Sequence, residues 1–273
     1  MRDVLAVLRT PEGAIGGGVL ILMVAAALLA PVLAPGDPLA IVGRPLRLPL
    51  ADPRFPLGTD RLGRDVLTGL LHGARSTLGT GAAVMAAALL LGGAVGTIAG
   101  YLGGAADEIL KRIADAVPTV PGFGLALAIV SVAGPTQPAI LLALTAGAWT
   151  GPARVVRAEV MALRSRPFVD ASRLLGRHPL AIAFGGVLPN ALGPLLALAP
   201  IVVAGAMLSE AALTFLGLGD PNVATWGAMI AEGRAVLRTA PHVIVAPGLA
   251  VAVAVLAVSL LGEGMQRAAA RRT

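Results

Sequence analysis

The sequence predicts an all-α membrane protein with six transmembrane helices, and three observations carry that expectation. Of its 273 residues 56% are apolar and 13% charged, with a mean hydropathy of +0.85, against roughly a quarter charged in an ordinary soluble domain. Long uncharged intervals alternate with short segments rich in arginine. The intervals are long enough for helices that rise about 1.5 Å per residue and need roughly 20 residues to cross about 30 Å of hydrocarbon. A disordered chain, which needs low hydrophobicity and high charge, is excluded, and the 35 glycines follow no collagen-like three-residue period.

The first interval runs from Gly13 to Gly36, where Pro35 and Pro38 stop it. It is longer than a signal-peptide core and no A-x-A cleavage site follows it, so it reads as a retained first span. From Asp37 to Arg75 prolines stand at 38, 45, 49, 53 and 56. That spacing forbids a long helix and predicts an ordered excursion outside the membrane. The second interval, Ser76 to Ala106, places Gly92, Gly96, Gly100 and Gly104 four residues apart on one helix face, where another backbone can approach closely. Between Asp115 and Arg154 the uncharged stretch is too long for one crossing, and Gly134-Pro135-Thr136-Gln137-Pro138 cuts it into spans three and four. Span five is the run from His178 to Ser209 and span six the run from Pro241 to Gly262.

Arginine and lysine divide unevenly between the two sets of connections. The N-terminus (Arg2, Arg9), the 103–112 loop, the 154–178 loop and the C-terminus (Arg267, Arg271, Arg272) hold thirteen, and the opposite side holds eight. Both termini are therefore expected in the cytoplasm. The net charge of +6 is spread between apolar runs, which suits a lipid bilayer and not a nucleic acid.

Several chemistries lack their residues. Without cysteine there is no disulfide framework, thiolate metal site or cysteine nucleophile. A phosphate-binding loop needs a lysine after glycine and before Ser or Thr, whereas the single lysine, Lys111, stands between Leu110 and Arg112. Any ATP the system uses is then hydrolysed by another subunit. His72, His178 and His242 show no metal-binding spacing, so no metal is expected. Gly217-Leu218-Gly219-Asp220 has the G-x-G-D form of an intramembrane aspartyl protease, but the partner aspartate of such a site follows a tyrosine, and Tyr101 is followed by Leu102. Asp115 and Glu210 fall near the ends of proposed spans, where helix-end pairing with water or an arginine is favoured over a proton relay. An ion-coupled secondary transporter remains an alternative, although paired discontinuous repeats and midplane ionisable groups are not evident.

The connection between spans four and five carries Arg164 to Gly176. Pro167 suits a first helical turn, Asp170 stands near the positive N-terminal end, Phe168, Ala171 and Leu175 share one face, and Gly176 permits a break. From periodicity alone this short amphipathic helix either meets a partner protein or lies on lipid.

Asp170-Ala171-Ser172, Gly176 four residues after Ser172, and Leu188-Pro189 resemble the EAA motif of bacterial ABC importer permeases. The departures are Asp170 and Ser172, where the motif prefers Glu and Ala, and Gly186, where many members have Ile. Pro56-Leu57-Gly58-Thr59-Asp60, Gly63-Arg64-Asp65-Val66, Gly73-Ala74-Arg75-Ser76, Gly100-Tyr101, Phe168-Val169, Leu188-Pro189-Asn190, the run Glu210 to Gly219 and Trp226-Gly227-Ala228-Met229 are similar to the dipeptide/oligopeptide/nickel permease family, specifically its C-type subunit. The likeness covers nearly the whole chain and absorbs the G-x-G-D motif.

The resemblance implies a type I ABC importer permease fold and a non-catalytic subunit forming half of a translocation pathway. It implies a B-type permease in a heterodimer, one or two ABC ATPase subunits that hold ATP and magnesium, and an extracytoplasmic solute-binding protein. This chain would carry no cofactor and would sit in the bacterial inner membrane. Phe168, Val169, Asp170, Ala171, Ser172, Leu175 and Gly176 become the expected ATPase-coupling residues, within the 164–178 loop. Residues 1–73 would form the first helix and the proline-rich segment, 74–264 the permease core, and 265–273 a basic tail. Peptides, nickel, nickel chelates and glutathione are all cargoes of such permeases.

Overall fold

A computed structural model describes residues 6–270; Arg2, Arg271 and Arg272 of the charge count lie outside the described residues. Among those described there is no β-strand, only an isolated antiparallel bridge between Thr59 and Asp65. Helix α1 (Pro11–Leu33) starts where the Thr10 hydroxyl accepts the Gly13 N–H and Pro11 presets the first turn. Helix α2 (Val66–Leu102) has 37 residues, about 55 Å of rise. Asp65 caps it by accepting the N–H groups of Leu67 and Thr68.

Gly103, at φ 68°, ends α2 and turns the chain into α3 (Gly104–Ala116). The following α4 (Gly122–Ala133) lies at 87° to the 104–119 segment, and α5 (Gln137–Ala148) meets α6 (Thr150–Leu163) at 42°. After the short α7 (Pro167–Leu174) come α8 (Pro179–Ala197) and α9 (Ala199–Leu218), then α10 (Trp226–Gly233) outside the long apolar helices and α11 (His242–Ala270). The core is small-residue and aliphatic: Val84, Val130, Ile140, Leu144 and Leu213 pack in one cluster, Met207, Trp226, Val251 and Ala254 in another.

Named contacts sort the elements into two ends. Glu12 at the start of α1 pairs with Arg267 near the end of α11, and a Cβ on Gly264 would stand 2.6 Å from the Gly13 Cα, so these helices run antiparallel with backbones touching. At the other end of α1, the Ala34 carbonyl lies 3.1 Å from His72 Nε2 near the start of α2. The end of α2 reaches the 164–178 loop, where Arg164 donates to the Gly100 carbonyl at 3.3 Å. One end of the bundle therefore holds the start of α1, the end of α2, α3, the 164–178 loop and the end of α11. The opposite end gathers the proline-rich segment, the 134–136 turn and residues 219–241, tied by Arg64 to Glu232 at 3.0 Å and by the Gln137 N–H to Asp220 Oδ2 at 3.1 Å.

Four expectations change. The proline-rich excursion ends at Asp65, ten residues before the charge boundary at Arg75, because α2 continues beyond the apolar stretch. The 103–112 segment is the amphipathic helix α3, not a loop. The first part of the 154–178 connection continues α6 to Leu163. The single run from His178 to Ser209 is two helices meeting at Leu198, with Pro200 in the first turn of the second. Among the described residues five helices are long and apolar enough to cross a membrane, or up to seven when each bent pair counts as one span.

Candidate functional site

The 164–178 loop is mounted on a rigid base. A Cβ on Gly92 would stand 2.5 Å from the Trp149 carbonyl oxygen, one on Gly96 2.4 Å from that of Ala153, and one on Gly100 2.7 Å from that of Arg157. Only glycine lets α2 and α6 approach this closely. Gly104, expected in the same stripe, lies instead at the start of α3 with φ +54° and nothing within 4 Å of a built Cβ. Arg157 holds Asp107 through both guanidinium branches, and Arg154 donates to Asp115 Oδ1 and to the Ala114 carbonyl at 3.2 and 3.0 Å. These pairs strap α3 across α6 at the base of the loop.

Helix α7 then projects from this base. Pro167 opens it and Asp170 occupies the first turn, paired with Arg173 at 3.0 Å. Its end is a Schellman motif: Gly176 at φ 72°, its N–H donating to the Arg173 carbonyl at 2.9 Å and the Arg177 N–H to the Ser172 carbonyl at 3.3 Å. Leu174 is 89% exposed, Leu175 80% and Phe168 40%, with Asp170 and Ala171 also exposed and Ser172 half-buried. Val169 corrects the expectation for it. It is 0% exposed, in a cluster with Tyr101, Val156, Val160 and Ile182, so it anchors α7 to this chain. Periodicity shows that a helix has an apolar face but not which of two apolar faces meets its own protein. Leu174, which the motif did not single out, is the most exposed of the set; the doubled leucine before Gly176 was its signal.

The remaining candidates hold structural positions. Asp115 pairs with Arg154 at 3.0 Å, a helix-end pair. Glu210, expected within reach of water or an arginine, is fully buried and accepts the Thr214 hydroxyl at 3.0 Å. The reason is that α9 runs on to Leu218, which puts residue 210 two turns inside the helix. Asp220 caps the loops at the opposite end, accepting from the Gln137 and Asn222 N–H groups.

A multi-pass helical bundle with an ordered apolar projection at one end, and no phosphate-binding sequence of its own, defines a membrane subunit made to work with others. The chain belongs to the family of binding-protein-dependent transport system inner membrane components, whose model matches residues 92–273. It is similar over most of its length to a di/tripeptide transport system permease protein DppC of Pseudomonas aeruginosa, 38% identical over 264 residues that cover 94% of this chain and 87% of that one. A dipeptide transport system permease protein DppC of Haemophilus influenzae is 34% identical, covering 94% and 90%. A glutathione transport system permease protein GsiD of Pectobacterium atrosepticum is 34% identical over 213 residues, 78% of this chain and 71% of that protein. The chain is thus a non-catalytic permease subunit of an ABC importer, multi-pass in the membrane, whose partners include separate ATPase subunits and a solute-binding protein.

Proposed function

We propose that this chain is the C-type half of a peptide-importing ABC transporter, pairing with a B-type permease and docking its ATPase through α7. The exposed Leu174–Leu175 tip carries the reading, because two neighbouring leucines held out by a capped helix are an unpartnered apolar anchor in the described chain. Phe168, Asp170, Ala171 and Ser172 surround it, and Gly176 aims it. No cofactor is assigned to this chain; ATP and magnesium belong to the ATPases. Peptides are the cargo class because relatives are named for di- and tripeptides, dipeptides and glutathione.

The reading takes the chain to make six crossings. Counting 104–133, 137–163 and 179–218 as one crossing each, together with α1, α2 and α11, returns both termini to the end that bears the 164–178 loop. That end faces the cytoplasm in this reading. The test is purification of the affinity-tagged chain from membranes that express its operon, with an ATPase expected in the eluate and labelled dialanine uptake expected in the cells. The chain purified alone is expected to neither bind nor hydrolyse ATP. ATPase turnover by the chain alone, or a complex without any ATPase subunit, would contradict the reading.

A further inference from the structure

Helix α2 differs from every other long element. The described residues break or weaken the others: α3 and α4 turn by 87°, α5 and α6 by 42°, α8 and α9 part at Leu198, and Pro31 and Pro247 each remove a backbone donor within α1 and α11. From Val66 to Leu102 there is no proline and no break. A displacement at one end of such a helix reaches the other end, whereas a hinge absorbs it.

Both ends of α2 are gripped. At the loop end, the Arg173 guanidinium lies over the Tyr101 ring at 5.7 Å, and Val169, one turn earlier on the same face of α7, shares the buried cluster of that ring. Arg164, just before α7, donates to the Gly100 carbonyl in the last turn of α2. At the other end the Trp226 indole N–H donates to the Leu70 carbonyl at 2.9 Å, and its backbone N–H to the Thr77 hydroxyl at 3.2 Å. A Cβ on Gly73 would stand 3.0 Å from that indole.

We propose that Arg173 and Tyr101 are positioning residues that join α7 to α2, so that movement of the docked loop is carried along α2 to the Trp226 end of the protein. The proposal rests on the docking role of α7 argued above. The joint faces this chain while Leu174 and Leu175 face away from it, so docking and transmission use different residues of one short helix.

The two roles separate in the assembled complex. Wild type has no cysteine, so Ser76→Cys gives a single thiol on α2 in the cavity lined by Pro38, His72, Gln137 and Asn222. Its rate of labelling by a charged maleimide is measured in nanodiscs, nucleotide-free and after trapping with ATP and vanadate. The expected result is a rate that differs between the two states, with the difference reduced about fivefold or more in Arg173→Ala and Tyr101→Leu, the worth of one cation–π contact of about 1 kcal/mol. Co-purified ATPase and trapped nucleotide should stay at the level of the Ser76→Cys parent. Tyr101→Phe keeps the ring and should keep the difference. Equal rates in the two states of the parent, an unchanged difference in Arg173→Ala, loss of the difference in Tyr101→Phe, or loss of bound ATPase in Arg173→Ala would each overturn the joint. Failure of the underlying docking reading is recognised separately, by absence of ATPase from the wild-type complex.

Discussion

At Gly96 a single hydrogen decides whether two helices meet, because a Cβ there would collide with the Ala153 carbonyl and with the Arg157 nitrogen at 2.9 Å. Leucine at this position must push α2 from α6, an overpacking cost of about 1–3 kcal/mol or more. Gly18→Leu, at a position with nothing within 4 Å, should be neutral. Thermal unfolding of the purified complex is expected to fall for Gly96→Leu alone, and equal midpoints for the two variants would refute the packing account. A second residue-scale expectation concerns pH. Burial pushes the Glu232 carboxyl above its ordinary 4.5, Arg64 pulls it back, and Asp60 pushes it up again. A raised acid holds its proton more tightly folded than unfolded, so its stabilising contribution is present below about pH 4.5 and fades as pH rises through the folded value. Arg64→Gln removes the counter-charge and raises the group further. Its deficit in unfolding midpoint relative to wild type should therefore be larger at about pH 8 than at about pH 5, and Glu232→Gln placed in the same background should remove that widening. A deficit that shrinks toward pH 8 would sink the assignment.

At the scale of the element, what local chemistry dictates was legible. Pro167 and Gly176 bounded α7, and the Gly134 to Pro138 cluster separated α4 from α5, because caps and prolines act on their immediate neighbours. Charge was the misleading signal. Asp107, Glu108, Lys111 and Arg112 read as a loop, yet they lie on the helix α3, where Glu108 and Arg112 pair on the exposed side and Asp107 turns to Arg157 of α6. Pro200 marks the break at Leu198, but Pro189 and Pro194 stand in the same uncharged run without ending α8, so proline alone does not distinguish one helix from two there. Within the candidate site, the existence of α7 followed from sequence, but the inward turn of Val169 depends on its packing with Val160 and with Tyr101, the latter far away in the chain. That division predicts opposite phenotypes on neighbouring turns. Leu174→Ser with Leu175→Ser should leave the unfolding midpoint of the chain unchanged and reduce co-purified ATPase about tenfold or more, as loss of a central apolar anchor does. Val169→Asp should lower the midpoint itself, since it buries an unpaired charge. Retention of full ATPase by the double serine variant would remove α7 from the docking surface.

For the whole molecule, orientation is one decision and not one per loop. The contacts of Glu12 with Arg267 and of Arg164 with Gly100, together with that of Ala34 with His72 at the far ends of α1 and α2, put the start of α1, the end of α11, the end of α2 and the 164–178 loop at one end, so assigning any of them a side of the membrane assigns all. Two independent considerations choose the same side. Among the described residues ten arginines and lysines belong to this end against eight opposite, and by the positive-inside rule the richer end is the one expected in the cytoplasm. Under the proposed docking role the loop must also lie where ATP is, which would leave the proline-rich end to meet the solute-binding protein. The decisive reporters are Ser165 and Asn222, both exposed and at opposite ends, whereas the nearby Thr225 is buried as the N-cap of α10. In the cysteine-free background, Asn222→Cys should react with an impermeant maleimide on intact spheroplasts, and Ser165→Cys only after the membrane is opened or in inverted vesicles. Labelling of both from outside would break the six-crossing topology. The reversed pattern would keep the fold and place α7 away from every ATPase, which the docking reading does not survive.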